Sequence, residues 1–271
     1  MGSARGRKSI LITGAASGIG AETARLFVRK GWFVGLYDVN ENGLNDMVDE
    51  LGEGNCISAR LDVTRRKDWS SAISAFGDAT EGRLNVLFNN AGIGRHGWFE
   101  DIPPEDADLV VDVNIKGVIN GVYEALPLLK ETAGARIINT SSAAGIVGSP
   151  QLAVYSASKF AVRGLSEALD VEMRDLGVRV TCLMPWFVDT PILDMSNQIG
   201  SNHNMKDTLQ DSGLEVYPVS MAADAVWDAA HGEDVHYLVG KNAKRARFVQ
   251  RFFPNTMRKR LKRELPSRSD V

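Results

Sequence analysis

The stretch Ser9–Gly20, SILITGAASGIG, decides the fold of this chain. Its first five residues are mostly apolar and predict a short buried strand. A loop with three glycines follows, and the helical periodicity of Ala21–Lys30 then predicts a helix that Gly31 ends. The loop lets the backbone approach a ligand closely, and the helix N-terminus directs free N–H groups towards it, which suits a pyrophosphate.

The glycines of this loop, Gly14, Gly18 and Gly20, have the spacing G-x-x-x-G-x-G. The familiar dinucleotide fingerprint has the spacing G-x-G-x-x-G instead. A glycine-rich turn that binds no ligand therefore stays open as an alternative until other residues are considered.

A carboxylate, Asp38, follows the second predicted strand, Trp32–Tyr37. At roughly twenty residues past the glycine loop, a carboxylate suits both hydroxyls of an adenosine ribose and repels a 2′-phosphate. No Lys or Arg stands at positions 17, 39 or 40 to neutralise such a phosphate. The sequence thus predicts NAD rather than NADP, with capping of the next helix as the alternative role of Asp38.

Five further strands are predicted, and helical stretches alternate with them. They are Asn55–Arg60, Val86–Phe88, Arg136–Thr140, Arg179–Leu183 and His236–Val239. This alternation predicts one α/β domain over residues 1–271, with a doubly wound, parallel, seven-stranded sheet.

Polar and small residues follow several of these strands, at the edge where open α/β sheets bind ligands. Asp62 could accept a hydrogen bond from an adenine amino group or cap the helix near residues 66–76. Asn89–Gly92 end the fourth strand, and the loop after them carries His96, interpreted as an ordinary loop histidine. Asn114 lies in an apolar part of the long predicted helix Pro104–Glu131 and therefore needs hydrogen-bond partners. The alternative is that Asn114 is simply a hydrogen-bonded amide of the core.

Ser142, Tyr155 and Lys159 form the chemical centre of the sequence, within SSAAGIVGSPQLAVYSASK at 141–159. On a helix, Tyr155 and Lys159 share one face, one turn apart. Lowering a phenol pKa from about 10 to about 7 needs roughly 4 kcal/mol. One ammonium is not expected to supply all of this, so an oxidised nicotinamide is the expected second positive charge.

The composition excludes several other classes of function. The net charge of −3 gives no overall basic field for nucleic acid. The two cysteines, Cys56 and Cys182, fall in apolar runs and are predicted to be buried thiols. With no secretory signal, they favour a reducing, cytoplasmic location. No metal site is predicted.

Two segments near the end of the chain have a different composition. Residues 191–219 are polar and weakly periodic, which is typical of a substrate lid. Residues 241–271 form a basic tail whose amphipathic part, Lys241–Arg263, is interrupted at Pro254. Packing on its own domain or on a partner subunit is favoured for the tail, and contact with an anionic membrane surface is the alternative.

Taken together, residues 8–240 resemble the short-chain dehydrogenase/reductase family, whose fold is a single Rossmann domain. The resemblance rests on five elements in the right order: Thr13-Gly14-xxx-Gly18-Ile19-Gly20, Asp62, Asn89-Asn90-Ala91-Gly92, Asn114, and Ser142 with Tyr155-xxx-Lys159. It implies hydride transfer between NAD and a secondary alcohol or carbonyl group.

The resemblance also implies roles for individual residues. Ser142 would hydrogen-bond the substrate oxygen, and Tyr155 would exchange a proton with it. Lys159 would lower the phenol pKa and hold a ribose, and Asn114 would position a water that connects Lys159 to solvent. The implied cofactor contacts are Gly14, Ser17, Gly18, Ile19, Gly20, Asp38, Asp62, Val63, Asn89, Ala91, Gly92, Tyr155, Lys159, Val188 and Thr190.

One residue departs from the family pattern. Pro185 is followed by Trp186, where family members usually have glycine. Trp186 is therefore predicted to contact the substrate, together with Ser142 and Tyr155. This indole and the neighbouring Phe187 favour an apolar or aromatic substrate.

Two other functions are possible for this sequence, and the chain is expected to form an oligomer. A sugar-nucleotide epimerase or dehydratase also uses Tyr-x-x-x-Lys, but such enzymes resemble a longer branch with G-x-x-G-x-x-G. A non-catalytic NAD-sensing protein is the second rival. By resemblance, the chain is expected to form a homodimer or homotetramer through helices near 104–131 and 152–175.

Overall fold

The computed structural model describes residues 4, 6–194 and 214–265. Most of the predicted lid, residues 195–213, lies outside the described residues. The end of the predicted tail, residues 266–271, lies outside them as well.

A parallel sheet of seven strands forms the centre of the molecule and confirms the predicted doubly wound architecture. The spatial order is β3-β2-β1-β4-β5-β6-β7, and every neighbouring pair is parallel. The order reverses between β1 and β4, where a ligand crevice is expected at the carboxyl ends of the strands. The strands are β1 Ser9–Thr13, β2 Phe33–Asp38, β3 Cys56–Arg60, β4 Val86–Asn89, β5 Arg136–Thr140, β6 Arg179–Pro185 and β7 His236–Val239.

Helices cover both faces of this sheet. They are α1 Gly18–Arg29, α2 Glu41–Leu51, α3 Arg66–Ala79, α4 Pro104–Val111, α5 Gly117–Lys130, α6 Ala153–Glu172, α7 Pro191–Asp194, α8 Val219–His231, α9 Lys241–Phe252 and α10 Pro254–Glu264. Short 3-10 turns lie at Phe99–Asp101, Ala143–Gly145 and Arg174–Leu176.

Alternate residues of each central strand point into two separate cores, as the period of a strand requires. On one face, Ile10 and Ile12 pack with Phe27 of α1 and Val226 of α8. On the other face, Leu11 packs in a second cluster that includes residues of α3 and α5. Because both faces are covered by helices, β1 is fully buried. Cys56 and Cys182 are buried free thiols, as predicted.

The long helix predicted over Pro104–Glu131 is divided in the structure. A π-helical turn, Asp112–Lys116, lies between α4 and α5. The apolar periodicity on both sides conceals this turn, because it adds a residue without ending the helix. Asn114 lies in the turn and is fully buried.

The basic C-terminal segment packs against its own domain. Ala243 and Ala246 of α9 and Met257 of α10 join a third core cluster with Cys182 and Met184 of β6. Among the described residues, no helix combines the length and the apolar composition needed to span a bilayer.

Candidate active site

A cavity of about 820 Å³ opens at the carboxyl edge of the sheet, beside the reversal between β1 and β4. It extends from the glycine loop, past the residues that follow β5, to the C-terminal helices. It brings together most of the residues predicted from the sequence: Gly14, Ser17, Gly18, Ile19, Asp38, Asp62, Val63, Ala91, Gly92, Ser142, Tyr155, Lys159, Trp186, Val188 and Thr190.

The glycine loop has the shape that a dinucleotide requires. Gly14 adopts a φ of 68°, in the left-handed region that favours glycine. At Gly20, a Cβ atom would overlap the carbonyl oxygen of Gly14, so only glycine lets α1 fold back onto the loop. Ser17 precedes α1 and makes no side-chain cap, so its hydroxyl does not satisfy the first N–H groups of the helix. The loop therefore fits a phosphate at the helix N-terminus.

Thr13 and Asn90 hold the two central strands together beneath this loop. Thr13 Oγ1 accepts hydrogen bonds from the backbone N–H groups of Asn90 and Ala91, at 3.0 and 3.1 Å. Asn90 Nδ2 donates to the Thr13 carbonyl at 3.0 Å. Asn90 also lines the cavity, although the sequence analysis assigned it no role of its own.

Asp38 connects the end of β2 to the glycine loop. Its Oδ2 accepts from the Ala16 N–H at 3.1 Å, and its Oδ1 accepts from the Asn40 N–H at 3.0 Å. The cap of α2 is Asn40, whose side chain accepts from the Gly43 N–H, so capping is not the role of Asp38. The carboxylate is held in place by the backbone and lines the cavity.

Asp62 also lines the cavity and does not cap the following helix. Its Oδ1 accepts from the N–H and the hydroxyl of Thr64, at 3.0 and 2.7 Å. The residue at the cap position of α3 is Arg65, which makes no side-chain cap. Asp62 therefore does not cap α3, and its contact with an adenine stays a prediction.

Asn89, which was predicted to contact the cofactor, does not line the cavity. Its side chain is buried within the domain and donates to Asn139 Oδ1 at 2.9 Å. Successive side chains of β4 point to opposite faces, and Asn89 points away from the crevice. Asn90 reaches the cavity instead. Gly20 and Asn114 do not line the cavity either.

Two hydrogen bonds fix α6 to the end of β5 and thereby position Lys159. Lys159 Nζ donates to the Thr140 carbonyl at 3.0 Å, and Ser141 Oγ donates to the Lys159 carbonyl at 2.7 Å. Tyr155, one turn earlier on α6, has its ring centroid 5.5 Å from the ammonium. The predicted pairing of phenol and amine on one helix face is therefore formed.

Ser142 faces the phenol from the other side. Its Oγ accepts from the Ala144 N–H at 3.1 Å, as the cap of a short 3-10 turn. Its own proton remains available to a second partner. Ser142 and Tyr155 both line the cavity.

Burial shifts both titratable groups of this pair. It raises the pKa of the Tyr155 phenol, and the hydroxyl of Ser142 acts in the opposite direction. The lowering expected from Lys159 is thus not found in the protein alone. Burial also lowers the pKa of Lys159 to about 8, because the ammonium loses its hydration. An amine with this pKa is still mostly protonated at pH 7, so Lys159 can supply positive charge beside the phenol.

The buried amine of Lys159 is expected to make the free energy of unfolding depend on pH. The folded-state pKa of Lys159 lies below its unfolded value, so between pH about 8 and about 10.5 the unfolded chain binds more protons. The free energy of unfolding should therefore rise through this window by about 3 kcal/mol relative to a Lys159→Met variant. Denaturant unfolding of both proteins at a series of pH values measures the difference. Parallel pH profiles would contradict a buried, shifted amine.

Asn114 is held by three hydrogen bonds. Its Oδ1 accepts from the Ile93 N–H at 2.9 Å, and its Nδ2 donates to the Ile93 carbonyl at 2.9 Å and to Ser158 Oγ at 3.0 Å. Asn114 Oδ1 and Lys159 Nζ both lie within 3.3 Å of the point that a Cβ on Gly92 would occupy. The amide is thus a satisfied buried group, and its oxygen and the Lys159 amine both border Gly92.

The far wall of the cavity comes from residues that the sequence analysis left out of the site. Trp186 packs on the same side, and the wall is lined by Asn242, Arg245, Ala246 and Val249 of α9 and by Thr256, Met257, Arg260 and Leu261 of α10. The alternation of apolar and basic residues in the tail was the available signal for these helices. His96 also lines the cavity, and burial lowers its pKa. Within the described ranges, no cluster of three or more His, Cys, Asp or Glu side chains could hold a metal.

Known proteins are similar to this chain in sequence. A family model described as short chain dehydrogenase matches residues 8–199. The oxidoreductase UcpA of Salmonella typhimurium is 39% identical over 205 residues, which cover 74% of this chain and 75% of that protein. Cyclohexanol dehydrogenase of an Acinetobacter species is 34% identical over 189 residues, covering 69% of this chain and 75% of that protein.

Solved structures share the fold as a whole. A short-chain dehydrogenase/reductase of Burkholderia phymatum in complex with NAD has a TM-score of 0.82 at 28% identity, over 93% of this chain and 95% of that one. A short-chain dehydrogenase of Burkholderia cenocepacia in complex with NADP has a TM-score of 0.78 at 26% identity, over 94% and 97% of the two chains.

Proposed function

The chain belongs to the short-chain dehydrogenase family and is an oxidoreductase, and from that premise we propose that it interconverts a secondary alcohol and a ketone with NAD(H). The observation that carries this proposal is that Ser142, Tyr155 and Lys159 line one cavity, with the buried amine of Lys159 one helical turn from Tyr155. A hydroxyl that donates and a phenol that exchanges a proton are the two groups that a reacting alcohol oxygen needs.

The residues at one end of the cavity fit a dinucleotide. The glycine loop leaves room for a pyrophosphate, and Asp38 stands at the position that suits a ribose diol. We therefore propose NAD over NADP, with Asp62 and Val63 at the adenine and Val188 and Thr190 near the carboxamide. When bound, the cofactor supplies the hydride chemistry.

The protein's own groups handle the proton and the orientation of the substrate. Ser142 donates a hydrogen bond to the alcohol oxygen and so holds it against Tyr155. Tyr155, as phenolate, takes the hydroxyl proton during oxidation, and the neutral phenol returns it during reduction. Lys159 supplies positive charge beside the phenolate, and the positive charge of an oxidised nicotinamide is proposed to oppose the effect of burial on Tyr155.

Asn114 is proposed as a positioning residue behind Lys159. Its amide fixes the loop at Ile93 and the helix at Ser158. This placement supports a role in holding the Lys159 amine close to the Tyr155 phenol. The water that connects Lys159 to solvent remains part of the proposal.

We propose an apolar secondary alcohol, with a cyclic skeleton, as the substrate class. Trp186, Val249, Met257 and Leu261 contribute apolar side chains to the far wall of the cavity, which Arg245 and Arg260 also line. A relative from Acinetobacter is named for cyclohexanol, and one from Sphingobium indicum for a dichlorocyclohexadiene diol. These names support an alcohol dehydrogenase over the sugar-nucleotide alternative.

An oligomer is also proposed. Leu109 of α4, Tyr123 of α5 and Phe160 and Val171 of α6 leave large apolar side chains exposed, between 40% and 72% of their surface. These helices are the ones expected to pair, and burial of their side chains against a second copy would remove that apolar surface from water.

A panel of cyclic and acyclic secondary alcohols, tested with NAD and followed by NADH absorbance, checks the proposed function. We expect turnover to be fastest with apolar cyclic members, and the corresponding ketones to consume NADH. Parallel reactions with NADP serve as the control for cofactor choice. Tight NAD binding without turnover across the whole panel would instead favour an NAD-sensing protein.

A further inference from the structure

Three phenylalanines form an exposed apolar knob where α9 meets α10. Phe248, Phe252 and Phe253 leave 58%, 58% and 54% of their surfaces in solvent. The rings of Phe252 and Phe253 lie 5.0 and 6.3 Å from that of Phe248, centroid to centroid. The three rings thus form one continuous apolar patch rather than isolated surface residues.

The knob lies outside the part of these helices that packs on the domain. Ala243, Ala246 and Met257 face the third core cluster, with Val249 and Leu261 packed against it. Phe248 and Phe252 are four residues apart on α9, and Lys244 and Arg251 fall on the same helical face. The core of the domain is therefore complete without the three phenylalanines.

Basic residues surround the knob. Residues 241–264 contain ten Lys or Arg and one acidic residue, although the whole chain has a net charge of −3. Lys244, Arg251, Arg258 and Lys259 are exposed, and the Arg251 guanidinium lies 5.9 Å from the ring centroid of Phe252. The segment combines exposed apolar rings with a strong local positive charge.

We propose that the α9–α10 knob, formed by Phe248, Phe252 and Phe253 with the basic residues around it, docks on anionic lipid membranes. Aromatic side chains enter the boundary between headgroups and acyl chains, and neighbouring Lys and Arg side chains are attracted to anionic headgroups. Anionic lipid is the occupant that satisfies both features. The inference rests on this surface alone and does not depend on the proposed reaction.

Other occupants match the surface less well. A second copy docked through the same face would bring two strongly basic segments together, and like charges repel. Single-stranded nucleic acid stacks its bases on flat aromatic faces along a groove. Here the rings pack against one another at interplanar angles of 50° and 51° in a protruding knob.

Co-sedimentation of the full-length protein with vesicles tests the proposal. We expect binding to phosphatidylcholine vesicles that contain phosphatidylglycerol, and little binding to phosphatidylcholine alone. The triple variant F248S/F252S/F253S and the charge variant K244E/R251E should each bind the anionic vesicles at least roughly tenfold more weakly. Added salt should weaken the binding of the wild-type protein.

Matched controls distinguish vesicle binding by this surface from nonspecific hydrophobic or electrostatic binding. Phe99→Ser removes an aromatic ring that is 68% exposed but lies outside the basic segment. K67E/K130E changes the net charge as much as K244E/R251E does, on α3 and α5. Both controls should bind vesicles as the wild type does, and NADH binding by the knob variants should stay unchanged without vesicles.

Three results would overturn the proposal. The first is wild-type protein that stays in the supernatant with anionic vesicles, and the second is unchanged binding by both knob variants. The third is tighter binding to a single-stranded oligonucleotide than to anionic vesicles at the same salt concentration, which would assign the surface to nucleic acid. If the triple phenylalanine variant fails to fold, vesicle binding by K244E/R251E alone decides whether the proposal holds.

Discussion

Replacing Tyr155 with phenylalanine is expected to lower kcat/KM for alcohol oxidation by about a thousandfold, within the range of roughly 10²–10⁴ that positioned proton transfer contributes. The substitution removes one oxygen and keeps the ring. The phenol hydroxyl is lost, and Tyr155 is the only tyrosine among the described residues that line the cavity. Initial rates of NADH formation with the best alcohol of the panel measure the effect.

The binding of cofactor provides the internal control for Tyr155→Phe. The glycine loop and Asp38 are unchanged, so the affinity for NADH, measured by fluorescence, should remain within a factor of about three. Tyr123→Phe, on the exposed face of α5, removes the same atom far from the cavity and should leave kcat/KM unchanged. Turnover close to wild type in the Tyr155 variant would remove Tyr155 from the proposed mechanism.

The sequence predicted that Ser142, Tyr155 and Lys159 lie at one site, because their placement follows local rules. Tyr155 and Lys159 share a helix face through their spacing alone, and Ser142 follows a strand whose neighbours were also predicted. The strands were predicted because buried parallel strands are continuous apolar runs between glycine-rich turns. Each of these inferences needs only a few consecutive residues.

The parts that the sequence did not predict depend on tertiary structure. Asn89 and Asn90 have the same side chain, and only the direction of each side chain at the end of β4 separates the core residue from the cavity residue. The pKa of Tyr155 depends on how much water surrounds the ring, which spacing along a helix does not reveal. The cavity wall from α9 and α10 requires the chain to return to the site after β7, and periodicity shows only that those helices are amphipathic.

Replacing Asp38 with asparagine is expected to shift the cofactor preference from NAD towards NADP by about a hundredfold in the ratio of kcat/KM values. A hydrogen bond to a charged group contributes about 1.5–3 kcal/mol, so NAD should lose roughly ten- to hundredfold. NADP should gain at the same time, because a carboxylate no longer repels its 2′-phosphate. An asparagine oxygen can still accept from the Ala16 N–H, so the glycine loop should keep its shape.

Asp62→Asn is the matched control, because both carboxylates line the same cavity and only Asp38 is proposed to contact the ribose. If Asp62 contacts the adenine, which NAD and NADP share, its substitution should weaken both cofactors by a similar factor and leave the ratio unchanged. Initial rates with each cofactor, for the wild type and both variants, give the three ratios. An unchanged ratio in Asp38→Asn would place the ribose elsewhere and would leave the preference for NAD without its physical basis, since Asp38 is the only negative charge that the proposal sets against a 2′-phosphate.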